Sequence, residues 1–267
     1  MFSDITLGQY YPARSIIHKL DPRVKIMLIL TLIVMLFIAD TPIAYVVTFV
    51  FIVIVILLSK VPAIFVLKGL KPILYILIFT SLLNIFLTDG KIIYSISFLK
   101  ITYEGLVLAG TMVVRLVLLV AATSILTLTT SPIMLTNAIE RLLSPLKIIK
   151  FPAHEIAMMM TIALRFIPTL LEETDKLIKA QSARGADFSS GGLFEKIKAL
   201  VPILVPLFIN SLKRADELAL AMECRCYRGG ENRSSLKELK IKNSDIIAIT
   251  VFALYTAFII ITKLVIK

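Results

Sequence analysis

Histidine and cysteine occur only twice each in this 267-residue chain, and charged residues make up just 18% of it. The first scarcity excludes most metal chemistry. His18 and His154 lie far apart and lack the paired spacing of a metal site, while Cys224 and Cys226 supply two thiols where a structural zinc site needs four ligands. Acid–base chemistry is equally thin. Glu172, Glu173 and Asp175 sit beside Lys176 and Lys179 on one helical pattern, which reads as a solvated face with ion pairs. No Gly-rich Walker loop occurs, so hydrolysis of a nucleotide by that route is excluded for this chain. Met1 to Leu20 has neither a short apolar core nor a small-residue cleavage site, so no removable signal peptide is expected and the first span is expected to direct its own insertion.

The shortage of charge has a counterpart in apolar excess: 58% of residues are hydrophobic, and the mean hydropathy is +0.92. A soluble domain cannot present such a composition to water, which makes the bilayer the expected solvent. Runs at Ile26–Ala39, Ile43–Leu58, Ile73–Leu87, Leu106–Leu128 and Ile246–Ile261 approach the roughly 20 residues that a helix needs to cross hydrocarbon. They are continuously apolar, without the period-two alternation of a barrel strand. The expected fold class is therefore an all-α polytopic membrane protein with about five transmembrane helices and three cytoplasmic or interfacial amphipathic helices.

Lys and Arg placement sets the expected orientation. Arg14, Lys19, Arg23 and Lys25 precede the first run, Lys60, Lys68 and Lys71 separate the second from the third, and a dense basic set follows the fourth. The other side has only Lys91, Lys100 and the terminal Lys263 and Lys267. The N-terminus and residues 131–244 are thus expected in the cytoplasm, with the C-terminus outside. A net charge of +11 is accounted for by this bias and by contact with anionic lipid. Nucleic acid is not an expected partner, because no stacking aromatics are interleaved with the basic residues.

The expected organisation is a four-helix membrane domain over 1–130, a cytoplasmic helical domain over 131–244 and a last transmembrane helix over 245–267. Asp21 is placed to cap a helix whose first residue is Pro22. Residues 60–72 read as a connection carrying a short interfacial helix, Asp40 to Pro42 as a tight outer turn, and Lys91 to Lys100 as an external strand pair or a segment lying on the lipid surface. In the cytoplasmic region Ser131-Pro132 opens a short helix ending at Ser144-Pro145. Phe151-Pro152 starts a long one reaching Gly185, and Gly191-Gly192 precedes a third reaching about Tyr227. Pro168, Pro202 and Pro206 interrupt these two long helices as candidate hinges. The apolar halves, Ile156–Ile167 and Leu193–Ile209, are too short to span and are expected in the interface or against another protein's helices.

Two candidate functional signals remain. Arg115 is the clearest ionisable residue within a span, with Asn84 the one strongly polar residue deep in the third; a direct transport role for Arg115 competes with simple snorkelling. The second signal is a repeat. Leu171, Asp175, Leu177, Ala180 and Arg184 recur with the same spacing as Leu212, Asp216, Leu218, Ala221 and Arg225, each copy closing a long helical pattern. An Arg at a helix C-terminus is favourable there in any case. Its duplication with the upstream Asp, Leu and Ala positions favours recognition of two like acidic grooves by a planar guanidinium.

The ordered set of Leu20-Asp21-Pro22-Arg23-Val24-Lys25, Arg165-Phe166-Ile167-Pro168, Ala183-Arg184-Gly185 and the second Arg motif running into Tyr227-Arg228-Gly229-Gly230 resembles the transmembrane (T) component of energy-coupling factor transporters over nearly the whole chain. The resemblance implies a non-catalytic scaffold whose three cytoplasmic helices are coupling helices. It implies two ABC-type ATPase partners, one engaged through Ala183, Arg184 and Gly185 and the other through Cys224, Arg225 and Cys226. The cysteines depart from the family's usual Ala-Arg-Gly. It implies a third partner, a substrate-binding membrane subunit, resting on a platform of Ile156, Met159, Ala163, Phe166 and Ile167. Leu200, Ile203, Leu204, Leu207 and Phe208 would complete that platform. This chain would bind no cofactor, since ATP and Mg would sit in the ATPases, and the setting would be a prokaryotic plasma membrane with vitamins or related micronutrients as cargo. The rival reading is a self-contained secondary transporter or channel whose basic region binds lipid or a regulator; a membrane-embedded enzyme is a third.

Overall fold

The computed structural model describes residues 10–39, 41–96, 99–149, 151–186, 192–229 and 240–265. Its elements in chain order are α1 (Ile16–Lys19), α2 (Pro22–Ile38), α3 (Pro42–Ser59), α4 (Ala63–Leu87), the strands β1 (Ile92–Ile96) and β2 (Leu99–Thr102), α5 (Tyr103–Thr129) and α6 (Pro132–Leu143). A 3-10 turn over Ser144–Ile149, then α7 (Ala153–Ala183), α8 (Leu193–Cys224) and α9 (Asn243–Val265) complete the chain. It is an all-α polytopic membrane protein, and β1 and β2 form one antiparallel pair. The chain divides into two compact units, one holding α1 to α5, the start of α6 and α9, the other holding the end of α6 with α7 and α8.

Among the described residues, five helices are long and apolar enough to cross a membrane: α3, α4, α5, α7 and α9. Two helices depart from the sequence expectation. α2 has 17 residues, about 26 Å of helix, and falls just short of that group. α7 joins it because the helix begins at Ala153 and runs unbroken through Pro168, so its first turns add to the apolar half. α4 is a further correction. The segment read as a connection with a separate interfacial helix is continuous with the third span, Pro72 lying inside a 25-residue helix. A proline there removes one backbone donor, and the rest of the helix carries it.

Helix starts follow local chemistry. Asp21 caps α2, its carboxylate accepting from the Arg23 amide, with Pro22 at the first position; Thr41 caps α3 and Thr102 caps α5. In the unit built on α2, α3, α5 and α9, Leu36, Leu118, Leu128 and Ile259 are fully buried. Phe51 stacks on Tyr255 at 4.6 Å between centroids, and the Tyr255 hydroxyl meets Thr48 Oγ1 at 2.7 Å, so a buried polar pair locks α3 to α9. α4 lies along α5 at close range. A Cβ at Gly105 would sit 2.8 Å from the Asn84 carbonyl, so only glycine permits that approach. Leu74, Ile78, Phe79 and Leu82 of α4 stay exposed, as suits residues facing hydrocarbon chains.

Candidate docking site

The two long helices of the other unit end alike, atom for atom along the backbone. At the end of α7 the amides of Arg184 and Gly185 donate to the carbonyls of Gln181 and Ser182, and Ala186 reaches back to Gln181, all at 3.0 Å. At the end of α8 Arg225 donates to Met222 at 3.1 Å, Cys226 to Glu223 at 2.8 Å and Tyr227 to Met222 at 3.0 Å. These are two Schellman terminations with an Arg at the C-cap of each. The residue after the Arg must take the left-handed conformation. Gly185 does so at φ +89° and Cys226 at φ +57°. Cysteine therefore performs the turn that glycine performs in the first copy, at a backbone cost of about 1 kcal/mol. Arg184, Arg225 and both cysteines are exposed among the described residues.

Behind these ends the helices are fastened together. Asn210 Nδ2 donates to Glu173 Oε1 at 2.8 Å, and the Arg214 guanidinium lies 3.0 Å from Glu173 Oε2. Asn210 and Arg214 are one turn apart on α8, so a single carboxylate of α7 is gripped by one face of α8. The sequence reading placed Glu173 in an ion-paired surface of its own helix; its partners come from the neighbouring helix instead. Met159 and Ala163 on α7 and Leu200, Leu204 and Phe208 on α8 are exposed, whereas Ile203 is buried and Ile156, Phe166, Ile167 and Leu207 are half-buried. Leu200, Leu204 and Phe208 follow a four-residue spacing and present one apolar stripe. α7 and α8 remain continuous helices through Pro168, Pro202 and Pro206. His154 pairs with Glu140 at 2.7 Å.

In the unit of α2, α5 and α9, the Leu-Asp-Pro-Arg-Val-Lys segment forms a buried polar knot. Asp245, 0% exposed, accepts from the Asp21 amide at 2.8 Å and from the Lys242 amide at 2.7 Å. The Asp21 carboxylate holds Arg23 at 2.8 Å. The Lys25 ammonium donates to the Thr129 carbonyl at 3.0 Å and to Thr130 Oγ1 at 3.1 Å. Three helix ends, the starts of α2 and α9 and the end of α5, are thereby tied together. Burial pushes the Asp21 carboxyl upward, but the hydrogen bonds from Arg23 and the charges of Arg23 and Lys25 outweigh it and hold the group below its ordinary value. His18, bonded to Ser15 at 2.7 Å and to the Tyr11 carbonyl at 2.9 Å, is held below its ordinary value by burial.

Arg115 has a structural occupation. Its guanidinium donates to the Tyr45 hydroxyl at 2.7 Å and to the Ala39 carbonyl at 3.4 Å, and it lies over the Phe37 ring. It thus closes the negative end of α2. Asn84 donates to the Thr80 carbonyl of its own helix at 2.9 Å. Among the described residues no group of three or more His, Cys, Asp and Glu side chains is placed to hold a metal.

The family model described as CbiQ, cobalt transport protein, matches residues 13–236, which takes in the Leu-Asp-Pro-Arg-Val-Lys segment, both long helices and both Arg terminations. Across 98% of this chain and of its relative, the sequence is 52% identical to the energy-coupling factor transporter transmembrane protein EcfT of Ruminiclostridium cellulolyticum. The chain belongs to the EcfT family, the transmembrane components of energy-coupling factor transporters. The EcfT of Clostridium kluyveri is 58% identical over 93% of both chains, and that of Bacillus subtilis is 48% identical over 92% of this chain and 93% of its own. EcfT membership makes this a multi-pass membrane component of a bacterial transporter.

The sequence reading missed Asp245 and the cross-helix role of Glu173. One signal for the first was present: an acidic side chain at the very start of the last apolar run, a position that costs too much to leave unpaired.

Proposed function

We propose that this chain is the scaffold through which ATP hydrolysis by two ABC-type ATPase subunits moves a substrate-binding membrane subunit and brings a vitamin or related micronutrient into the cell. One observation carries the reading: α7 and α8 end in the same backbone termination, each with an exposed Arg at the same cap position. Two like plugs call for two like sockets. Arg184 docks one ATPase and Arg225 the other, each guanidinium pairing with carboxylates in a groove of its partner. In this reading the N-terminus and residues 131–244 face the cytoplasm, which the Lys and Arg distribution supports.

Closure of the ATPases on ATP draws the two Arg-bearing ends toward one another. Because Glu173 grips Asn210 and Arg214, movement of one end is passed to the other helix instead of being lost in sliding. The exposed stripe of Leu200, Leu204 and Phe208, with Met159 and Ala163, carries the substrate subunit, and Pro168, Pro202 and Pro206 are the points at which the helices flex. ATP and Mg belong to the ATPases; cargo contacts belong to the substrate subunit. Affinity purification of the tagged chain from native membranes tests the assembly. Recovery of two ATPases and a small, very hydrophobic subunit is expected. A chain recovered alone that conducts a substrate across vesicles without ATP would instead establish the self-contained transporter.

A further inference from the structure

A cavity of about 400 Å³ lies among α1, α2, α3, α5 and α9, within one compact unit. Its lining on α2 comes from Lys25 to Leu32, on α3 from Phe51 to Leu58, on α5 from Ala122 to Thr129 and on α9 from Ser244 to Phe252. Every one of these stretches is the end of its helix nearest α1 and the polar knot. Along α2 the cavity is only about 10 Å deep, less than the roughly 15 Å of hydrocarbon in one leaflet. Its floor, including Leu32, Ile52, Ile125 and Phe252, is buried, whereas its rim, Ile16, Ile54, Leu58, Ile247 and Val251, is exposed. The cavity is thus closed on the bundle side and open toward the surroundings.

Among the described residues the only polar ones in the lining are Lys25, Thr129 and Ser244, and the Lys25 ammonium is turned to the Thr129 carbonyl and the Thr130 hydroxyl. Water would find almost nothing to bond, and apolar cavities much smaller than this one, about 150 Å³, stay dry and take apolar ligands. Along α2 the depth of about 10 Å is under two turns of helix, too little for a partner's helix to seat along its axis. A flexible hydrocarbon chain does fit. In the chain, Lys19 adjoins the lining residue Leu20, Lys60 follows Leu58 by two residues and Lys242 precedes Ser244 by two, and all three are exposed.

We propose that this cavity is a binding site for an anionic phospholipid of the leaflet on the α1 side, one acyl chain filling the apolar volume and the phosphate resting among Lys19, Lys60 and Lys242. The lipid covers the exposed rim and packs against the helix ends that the polar knot ties together. The site is separate from the residues of the ATPase docking and of the substrate platform.

The chain contains no tryptophan, so a single introduced indole reports its own surroundings. Phe51→Trp and, independently, Phe252→Trp place it in the lining; Phe79→Trp on the exposed face of α4 reports bulk lipid. The full chain is reconstituted in phosphatidylcholine vesicles doped with equal fractions of either phosphatidylglycerol or phosphatidylcholine brominated in the acyl chains. Quenching of the cavity reporters is expected to favour the brominated phosphatidylglycerol by about fivefold in apparent affinity, one lysine's worth of surface attraction, with no such preference at Phe79→Trp. Adding Ala248→Phe, which fills the cavity, should bring the reporter to the Phe79→Trp ratio. The combined Lys19→Gln, Lys60→Gln and Lys242→Gln variant should keep the quenching and lose the preference for the anion. Equal quenching by the two brominated lipids at both cavity reporters, an indole shielded from both, or a preference that survives the filled cavity would each overturn the site.

Discussion

Replacing Asp245 by Asn keeps the shape of the side chain and removes its charge, which makes it a sharp probe of the polar knot. The carboxylate accepts two backbone amides, from Asp21 at 2.8 Å and Lys242 at 2.7 Å, and is 0% exposed, so water cannot replace either bond. An Asn offers one carbonyl oxygen to one amide and turns its NH2 toward the other, where two donors face each other. One charge-assisted bond, worth about 1.5–3 kcal/mol, is lost, and a buried donor is stranded at about 1–3 kcal/mol more. A loss of about 3 kcal/mol or more corresponds to a fall of roughly 6–12 °C in the unfolding temperature of a chain this size. The assay is heating of the detergent-solubilised protein, followed by the fraction that remains monodisperse on size exclusion. Asp245→Ala strands both amides and should fall further than Asn. An Asp245→Asn protein that unfolds within about 2 °C of the parent would refute the reasoning, since effects of that size are ordinary for surface positions.

Other consequences are equally direct. Cys226→Gly relieves the left-handed strain at the end of α8 and should slow exchange of the Cys226 and Tyr227 amide protons, whereas Gly185→Ala should loosen the end of α7 by about 1 kcal/mol, close to fivefold in exchange rate. Glu173→Gln keeps an acceptor for Asn210 and loses the charge facing Arg214, at a cost of about 1 kcal/mol for a partly exposed pair. Its expected signature is uptake that falls more than ATP hydrolysis in the assembled transporter; a parallel fall in both would argue against a coupling grip. The Asp21 carboxyl is held below its ordinary value, so its contribution to stability is complete above the usual carboxylate range and is lost as pH falls through the depressed value. Acid unfolding curves of the parent and of Asp21→Asn should converge at low pH and separate above it.

Most of the element order is written in the punctuation of the chain. Asp21-Pro22, Ser131-Pro132, Phe151-Pro152 and the glycines at 185 and 192 mark helix starts and stops because each imposes a local backbone geometry that needs no tertiary partner. α4 was less legible. Pro72 reads as a breaker, and only packing along α5 shows that the helix absorbs it. The bounds of α7 are legible in Phe151-Pro152 and Gly185, but its capacity to span is not, because the apolar half counted from Ile156 leaves out the first turn, which begins at Ala153. The repeat that ends in Arg184 and Arg225 was visible in the residues, but the equivalence of Cys226 with Gly185 was not, because cysteine carries no preference for positive φ. Asp21 and Asp245 are 224 residues apart, and nothing local to either residue names the other; the same holds for Lys25 with the end of α5, and for Glu173 with α8.

The central claim is that two Arg-capped helix ends dock two ATPases. The most direct measurement is co-purification and ATP-dependent uptake with Arg184→Glu and Arg225→Glu, singly and together. Reversing one charge replaces attraction with repulsion in one groove, so each single variant should lose or weaken one ATPase contact and most uptake, and the double variant should retain neither ATPase. A double variant that still brings down both ATPases and transports at the parent rate would contradict the account.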